Sequence, residues 1–192
     1  MQSDFEEKYV KILGSKKVRA NKKWLCQIFL LSLVLSIAFS LLAQLTLSHT
    51  NLAISLILIA VLIIISVIAD IVGVAVTACN VKPLLENIEK GVFGARLGLR
   101  IVKQADKASS ICSDVIGDIC SILSGAGGVS ITLQLTELFS SVSSFVLALF
   151  VNAIIASLSI VGKAVGKTYA LNNPLKIVLI VGKVFSIFSK NK

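Results

Sequence analysis

The feature that most constrains this chain is an uncharged apolar run of 18 residues, Leu52 to Ala69, which continues past one acid, Asp70, as far as Cys79. A helix rises about 1.5 Å per residue, so roughly 20 such residues cross the ~30 Å hydrocarbon core of a bilayer. Inside that core a segment must satisfy its own backbone hydrogen bonds, which selects the helix. Two further runs share this character: Trp24 to Leu47, 24 residues long, and Leu138 to Gly162, uncharged but carrying Asn152. A weaker fourth run, from about Ala108 to Leu135, holds Asp114, Asp118 and the sequence Gly125-Ala126-Gly127-Gly128. The pattern predicts an all-α polytopic membrane bundle of four transmembrane helices. Composition agrees, at 56% hydrophobic and 15% charged residues with a mean hydropathy of +0.92, against about 25% charged in a soluble domain. The length leaves no room for a second soluble domain of ordinary size.

The charges orient the bundle. Residues 1–23 form a basic arm, residues 80–107 a basic linker, and residues 163–192 a basic, partly apolar tail broken at Pro174; together these hold all 19 Lys and Arg. The positive-inside rule then places both termini and the linker in the cytoplasm of a multi-pass cell-membrane protein. The first run exceeds the about 7–15 residues of a signal-peptide core and lacks an A-x-A pattern, so it reads as a span. In the linker, Leu84, Ile88, Val92, Leu97, Ile101 and Val102 recur at near-helical spacing, predicting an amphipathic helix along the membrane surface. Leu175 to Ser189 is short and carries lysines, predicting a re-entrant or interfacial segment. The net charge of +9 then reports contact with anionic lipid headgroups, with no nucleic acid as partner. No cytoplasmic partner is identifiable.

Intramembrane carboxylates mark candidate chemistry, because each costs about 2.5–3.5 kcal/mol on insertion scales and faces a bundle interior or a wet cavity. Asp70, Asp114 and Asp118 are the candidates. Asp114 and Asp118, four apart, share a face on an α-helix. Hard cations such as Mg²⁺ take oxygen ligands, and Ser113, Ser121, Ser124, Thr77 and Asn152 offer neutral ones. The alternative is that the aspartates sit in the headgroup zone and pair with Lys103, Lys107 or Lys163. The Gly125 to Gly128 run is either a helix break, a packing site or a loop. Gly162 and Gly166 form a G-x-x-x-G pair, which the nearby lysines turn into an expected re-entrant or interfacial turn. The cysteines Cys26, Cys79, Cys112 and Cys120 show no metal spacing and read as small buried hydrophobes. His49 falls in a predicted turn, Ser48-His49-Thr50-Asn51, and neither a Ser/His/Asp set nor a phosphate-binding glycine loop occurs, so an enzyme is not expected.

Residues 160–181, IVGKAVGKTYALNNPLKIVLIV, resemble the end of the last span in the transmembrane domain of the cyclin-M/CorC family, also called CorB, of magnesium and cobalt transport proteins. Gly162, Lys167, Thr168, Ala170, Asn173 and Pro174 match its signature. Ile116-Gly117-Asp118 is similar to the family's Ile-Gly-Asn, and the small-residue run from Asp70 to Asn80 with its basic linker is similar to the family's first helix end. The resemblance spans residues 52–192 and implies a dimeric transporter of Mg²⁺ or Co²⁺ with no bound organic cofactor. Lys163 stands where the family has a glutamate that resembles a cation ligand, Gly166 replaces a proline, the span at 24–47 is additional, and no CBS-type regulatory domain is expected. Asp70, Asp114, Asp118 and Lys163, if they share a pocket, sum to a charge that balances one Mg²⁺, with Gly117, Ser121, Asn152 and Gly162 in support. The competing expectation is a non-transporting relative in which Lys163 replaces the cation and the protein acts as a structural or regulatory partner.

Overall fold

Long apolar runs become long helices. The computed structural model describes residues 22–47, 51–139 and 142–189. Helix α1 spans Lys22–Leu47, α2 Leu52–Ala78, α3 Val81–Glu89, α4 Ala95–Val102 and α5 Ala105–Ser109; a π-helical segment, Ser110–Gly117, leads without interruption into α6, Asp118–Leu138. Helices α7, Ser144–Asn172, and α8, Pro174–Ser189, complete the chain. Three helical stretches are long and apolar enough to cross a membrane: α2, the continuous rod Ala105–Leu138, and α7. In α1 the described apolar stretch is Cys26–Leu41, and Ile28 and Leu35 lean on Val115, Ile119 and Leu123. The basic arm at residues 1–21 and most of the turn containing His49 lie outside the described residues.

The register of the bundle follows from its contacts. Ile59, Ile131 and Ile155 form one cluster, Gly162 and Gly166 of α7 abut Val67 and Ile71 of α2, and Ala75 packs with Ala170. Helices α2 and α7 therefore run parallel. Ser55 of α2 meets Gln134 of α6, and Ser66 meets Gly117, so α6 runs against both. This arrangement gathers α3, α4 and α8 at one end, where the basic residues between 82 and 107 and between 163 and 183 also lie; we call it the basic end. Most side chains of α2 and α7 outside the helix contacts are exposed apolar groups, as a lipid-facing surface requires.

Several expectations change. The linker is two short helices, because Gly91 and Gly94 adopt φ of 70° and 91°, a left-handed conformation that glycine takes without cost. The third span starts at Ala105 rather than near Ala108 and includes Glu137. The last span begins at Ser144, not Leu138, and remains helical through Gly162 and Gly166 to Asn172. Those glycines thus serve close helix packing and form no re-entrant turn. Gly125 to Gly128 likewise stay helical, with Gly128 against Asn152 and Ile155. Asn173 ends α7 and Pro174 opens α8, where a missing N–H costs nothing. Cys26 is exposed rather than buried. Cys79, beyond the end of α2, is buried, and that burial pushes its thiol pKa up.

Beneath the bundle, Val76, Cys79, Leu84, Val102 and Val178 form a core that ties α2 to α3, α4 and α8. The backbones of α4 and α8 come so close that a Cβ on Gly94 would stand 2.5 Å from the Lys183 amide nitrogen, and one on Gly182 would strike the Gly94 carbonyl oxygen. The C-terminal apolar segment is thus a 16-residue helix fixed to the amphipathic linker.

Candidate functional site

Polar groups inside the bundle concentrate where α2 meets the π-helical segment. Ser66 Oγ donates to the carbonyl oxygen of Gly117 at 2.7 Å and lies 2.9 Å from Ser121 Oγ. Ser121 Oγ is also 2.9 Å from the Gly117 oxygen, and Ser159 Oγ of α7 is 3.5 Å from Ser121 Oγ. Each hydroxyl has one proton and two lone pairs, so three donors serve one carbonyl and one another, and lone pairs remain unused. Two α-helical turns along α2, Gly73 faces Ser113, with no room for a side chain between them: a Cβ there would collide with Ser113 Oγ and approach the Ser109 carbonyl oxygen to 3.4 Å.

Asp70 lies on α2 between Ser66 and Gly73 and is buried, with 6% exposure. Its Oδ2 and the Oγ of Ser113 have no hydrogen-bond partner among the described residues. Lys167 Nζ of α7 stands 3.7 Å from that Asp70 oxygen, beyond hydrogen-bond range but close enough to act as a counter-charge. One turn earlier on α7, Lys163 Nζ donates to Asp118 Oδ1 at 3.3 Å. The two pairs are neutral together, because two carboxylates face two ammonium groups.

The π-helical segment shapes this region. Widening the turn to an i to i+5 bond pattern inserts extra backbone into a helix and recurs at functional sites. Asp114 lies within the widened stretch and Asp118 just beyond its end. Both are exposed, whereas Asp70 is buried. Among the described residues no three His, Cys, Asp or Glu side chains are grouped to hold a metal. The three aspartates are therefore not gathered as one ligand set; Asp118 is brought to Lys163, and Asp70 to Lys167.

The remaining candidates sort by position. Ser121 joins the hydroxyl cluster, while Ser124 is buried and donates to the Cys120 carbonyl. Thr77 turns back on Val74 and Thr168 on Ala164. Asn152 stands at the Gly128 contact, farther from the basic end, and Gly162 abuts Val67. Asn173 reaches the Tyr169 carbonyl at 3.5 Å. Sequence reading missed Ser66, Ser159 and the pairing of Lys167. A faint signal existed for the first two, since a lone serine in a lipid-spanning helix needs a partner on a neighbour.

No family model, no curated protein and no solved structure matches this chain.

Proposed function

We propose that this chain is a CorB/CorC-like membrane transporter of divalent cations, with Mg²⁺ as cargo and Co²⁺ as an alternative, working as a homodimer in the cell membrane with both termini cytoplasmic. The observation that carries this reading is the buried carboxylate oxygen of Asp70, unpartnered by any hydrogen bond, beside an oxygen-rich seam of Ser66, Ser113, Ser121 and the Gly117 carbonyl. Mg²⁺ gives up its waters reluctantly and commonly binds through one or two carboxylates. One carboxylate with several hydroxyl and carbonyl oxygens suits a hydrated ion better than a cage of three aspartates would. Lys167 is the movable part: it is half-exposed, and its ammonium holds Asp70 only at 3.7 Å. An arriving dication would displace it toward water. In reconstituted vesicles, Asp70→Asn should abolish Mg²⁺ uptake while Thr77→Val retains it; undiminished uptake by Asp70→Asn removes this reading.

A second reading has its own support. Lys163 and Lys167 already neutralise Asp118 and Asp70, which suits a non-transporting relative with internal counter-ions, acting as a structural or regulatory membrane protein. A ligand that binds only the folded state raises stability by RT ln(1 + [L]/Kd). Under this reading millimolar Mg²⁺ leaves the melting temperature unchanged in wild type and raises it in Lys167→Met. Stabilisation of wild type that vanishes in Asp70→Asn favours transport.

A further inference from the structure

At the basic end, the turn between α3 and α4 encloses a cavity of about 270 Å³ against α8, lined by Ile88, Val92, Phe93, Leu97, Arg96 and Ser186, with Gly91 and Gly94 completing its wall. Its walls are about equally polar and apolar, and its charged group is Arg96, which is exposed. The cavity is preformed, because the Gly94 and Gly182 backbones fix the α4 and α8 crossing. A cationic face and an exposed aromatic ring lie at it. Along α4, Arg96, Arg100 and Lys103 recur on one exposed face while Ala95, Gly98 and Val102 are buried on the other. Phe93, at the turn and in the pocket wall, is 52% exposed.

We propose that this cavity binds one anionic phospholipid, its headgroup phosphate on Arg96 and its acyl region against Phe93 and Leu97. Charge complementarity selects the occupant. A cationic row beside an exposed aromatic ring is a surface that an amphipathic interfacial element presents to anionic lipid, and a guanidinium binds phosphate through paired N–H donors. A soluble acidic peptide would satisfy the arginines but leave the exposed ring of Phe93 in water. This site is separate from the Asp70 seam and does not depend on transport.

The test is lipid counting by native mass spectrometry on full-length protein in mixed micelles containing phosphatidylglycerol or phosphatidylcholine, with melting measured in parallel. One phosphatidylglycerol should be retained per chain, and no phosphatidylcholine. Arg96→Gln should weaken retention about fivefold, the loss expected for one interfacial charge, whereas Lys176→Gln, with the same change in net charge, should not. Val92→Trp fills the cavity without altering charge and should also lose the lipid. Equal weakening by Arg96→Gln and Lys176→Gln would reduce the effect to diffuse attraction and overturn the proposal. So would retention by Val92→Trp in a folded protein, or equal protection by free inorganic phosphate.

Discussion

The two halves of the bundle are built on different physics. Far from the basic end, α2, α6 and α7 meet through Ile59, Ile131 and Ile155, flanked by Leu52, Ile63, Leu135 and Val151; Ser55, Gln134, Thr132, Thr136 and Asn152 are among the polar groups there. Toward the basic end the same helices meet through serines, a buried aspartate, a free carbonyl lone pair and a glycine packed on Ser113. Apolar side chains gain nothing from lipid exclusion, since lipid tails are equally apolar, so the far half is held by close packing. The near half adds interhelical hydrogen bonds and charge pairs. The contrast teaches that buried charge and close polar contacts crowd one half, as a site requires, while branched apolar packing dominates the other, as a seal requires.

The sharpest way to break this comparison is to obstruct the near half where it is tightest. Gly73→Val forces a branched side chain into Ser113 Oγ and the Ser109 carbonyl, and overpacking of this kind should cost about 3 kcal/mol. Thermal melting in detergent reads it. Gly125, which has nothing within 4 Å of an added Cβ, supplies the control: Gly125→Ala should be neutral or slightly stabilising, because alanine favours the helix. The double variant Gly73→Ala/Ser113→Gly should recover most of the stability lost in Gly73→Ala alone. If Gly73→Val melts like wild type, the near half is not held by close approach.

Ile59→Ala tests the far half and should have the next largest effect. The residue is 4% exposed and fills the centre of the isoleucine cluster. Removing it leaves a cavity, and since lipid offers no compensating transfer, the cost is mainly lost packing, about 2 kcal/mol. Asp70 and its surroundings should be unaffected. A melting loss below about 0.5 kcal/mol would mean the far contact is loose, and would erase the distinction between seal and site.

The helices of the far half were legible from the sequence, because long apolar runs specify them, but which residues meet there was not, since Ile59, Ile131 and Ile155 come together only through helix register. The near half was legible only in part. Asp70 stood out as a carboxylate in an apolar run, and Lys163 as a charge at a helix end, but their partners depend on register. Pairing Lys167 with Asp70 requires knowing that α2 and α7 run parallel, with Ile71 level with Gly166. The π-helical segment left no sequence signature, since the same residue spacing reads equally well as α-helix. The glycines of α7 misled for a related reason: beside lysines they suggest a turn, whereas helix packing against Val67 and Ile71 uses them as contact points.

The smallest expected effect sharpens the comparison at its wet edge. Lys163 and Asp118 form an ion pair at 3.3 Å, with the lysine side chain 21% and the aspartate 64% exposed. A pair whose carboxylate lies so open is screened, and exposed pairs contribute about 0.2–1 kcal/mol. A double-mutant cycle of Lys163→Met and Asp118→Asn should therefore give a coupling within that range, smaller in high salt than in low salt. Such a value places Asp118 in contact with water or headgroups and leaves Asp70 as the buried carboxylate of the near half. A salt-independent coupling above about 2 kcal/mol would mean that Asp118 is shielded as Asp70 is. The near half would then be dry along its whole length, and the division between a sealed half and an accessible one would fall.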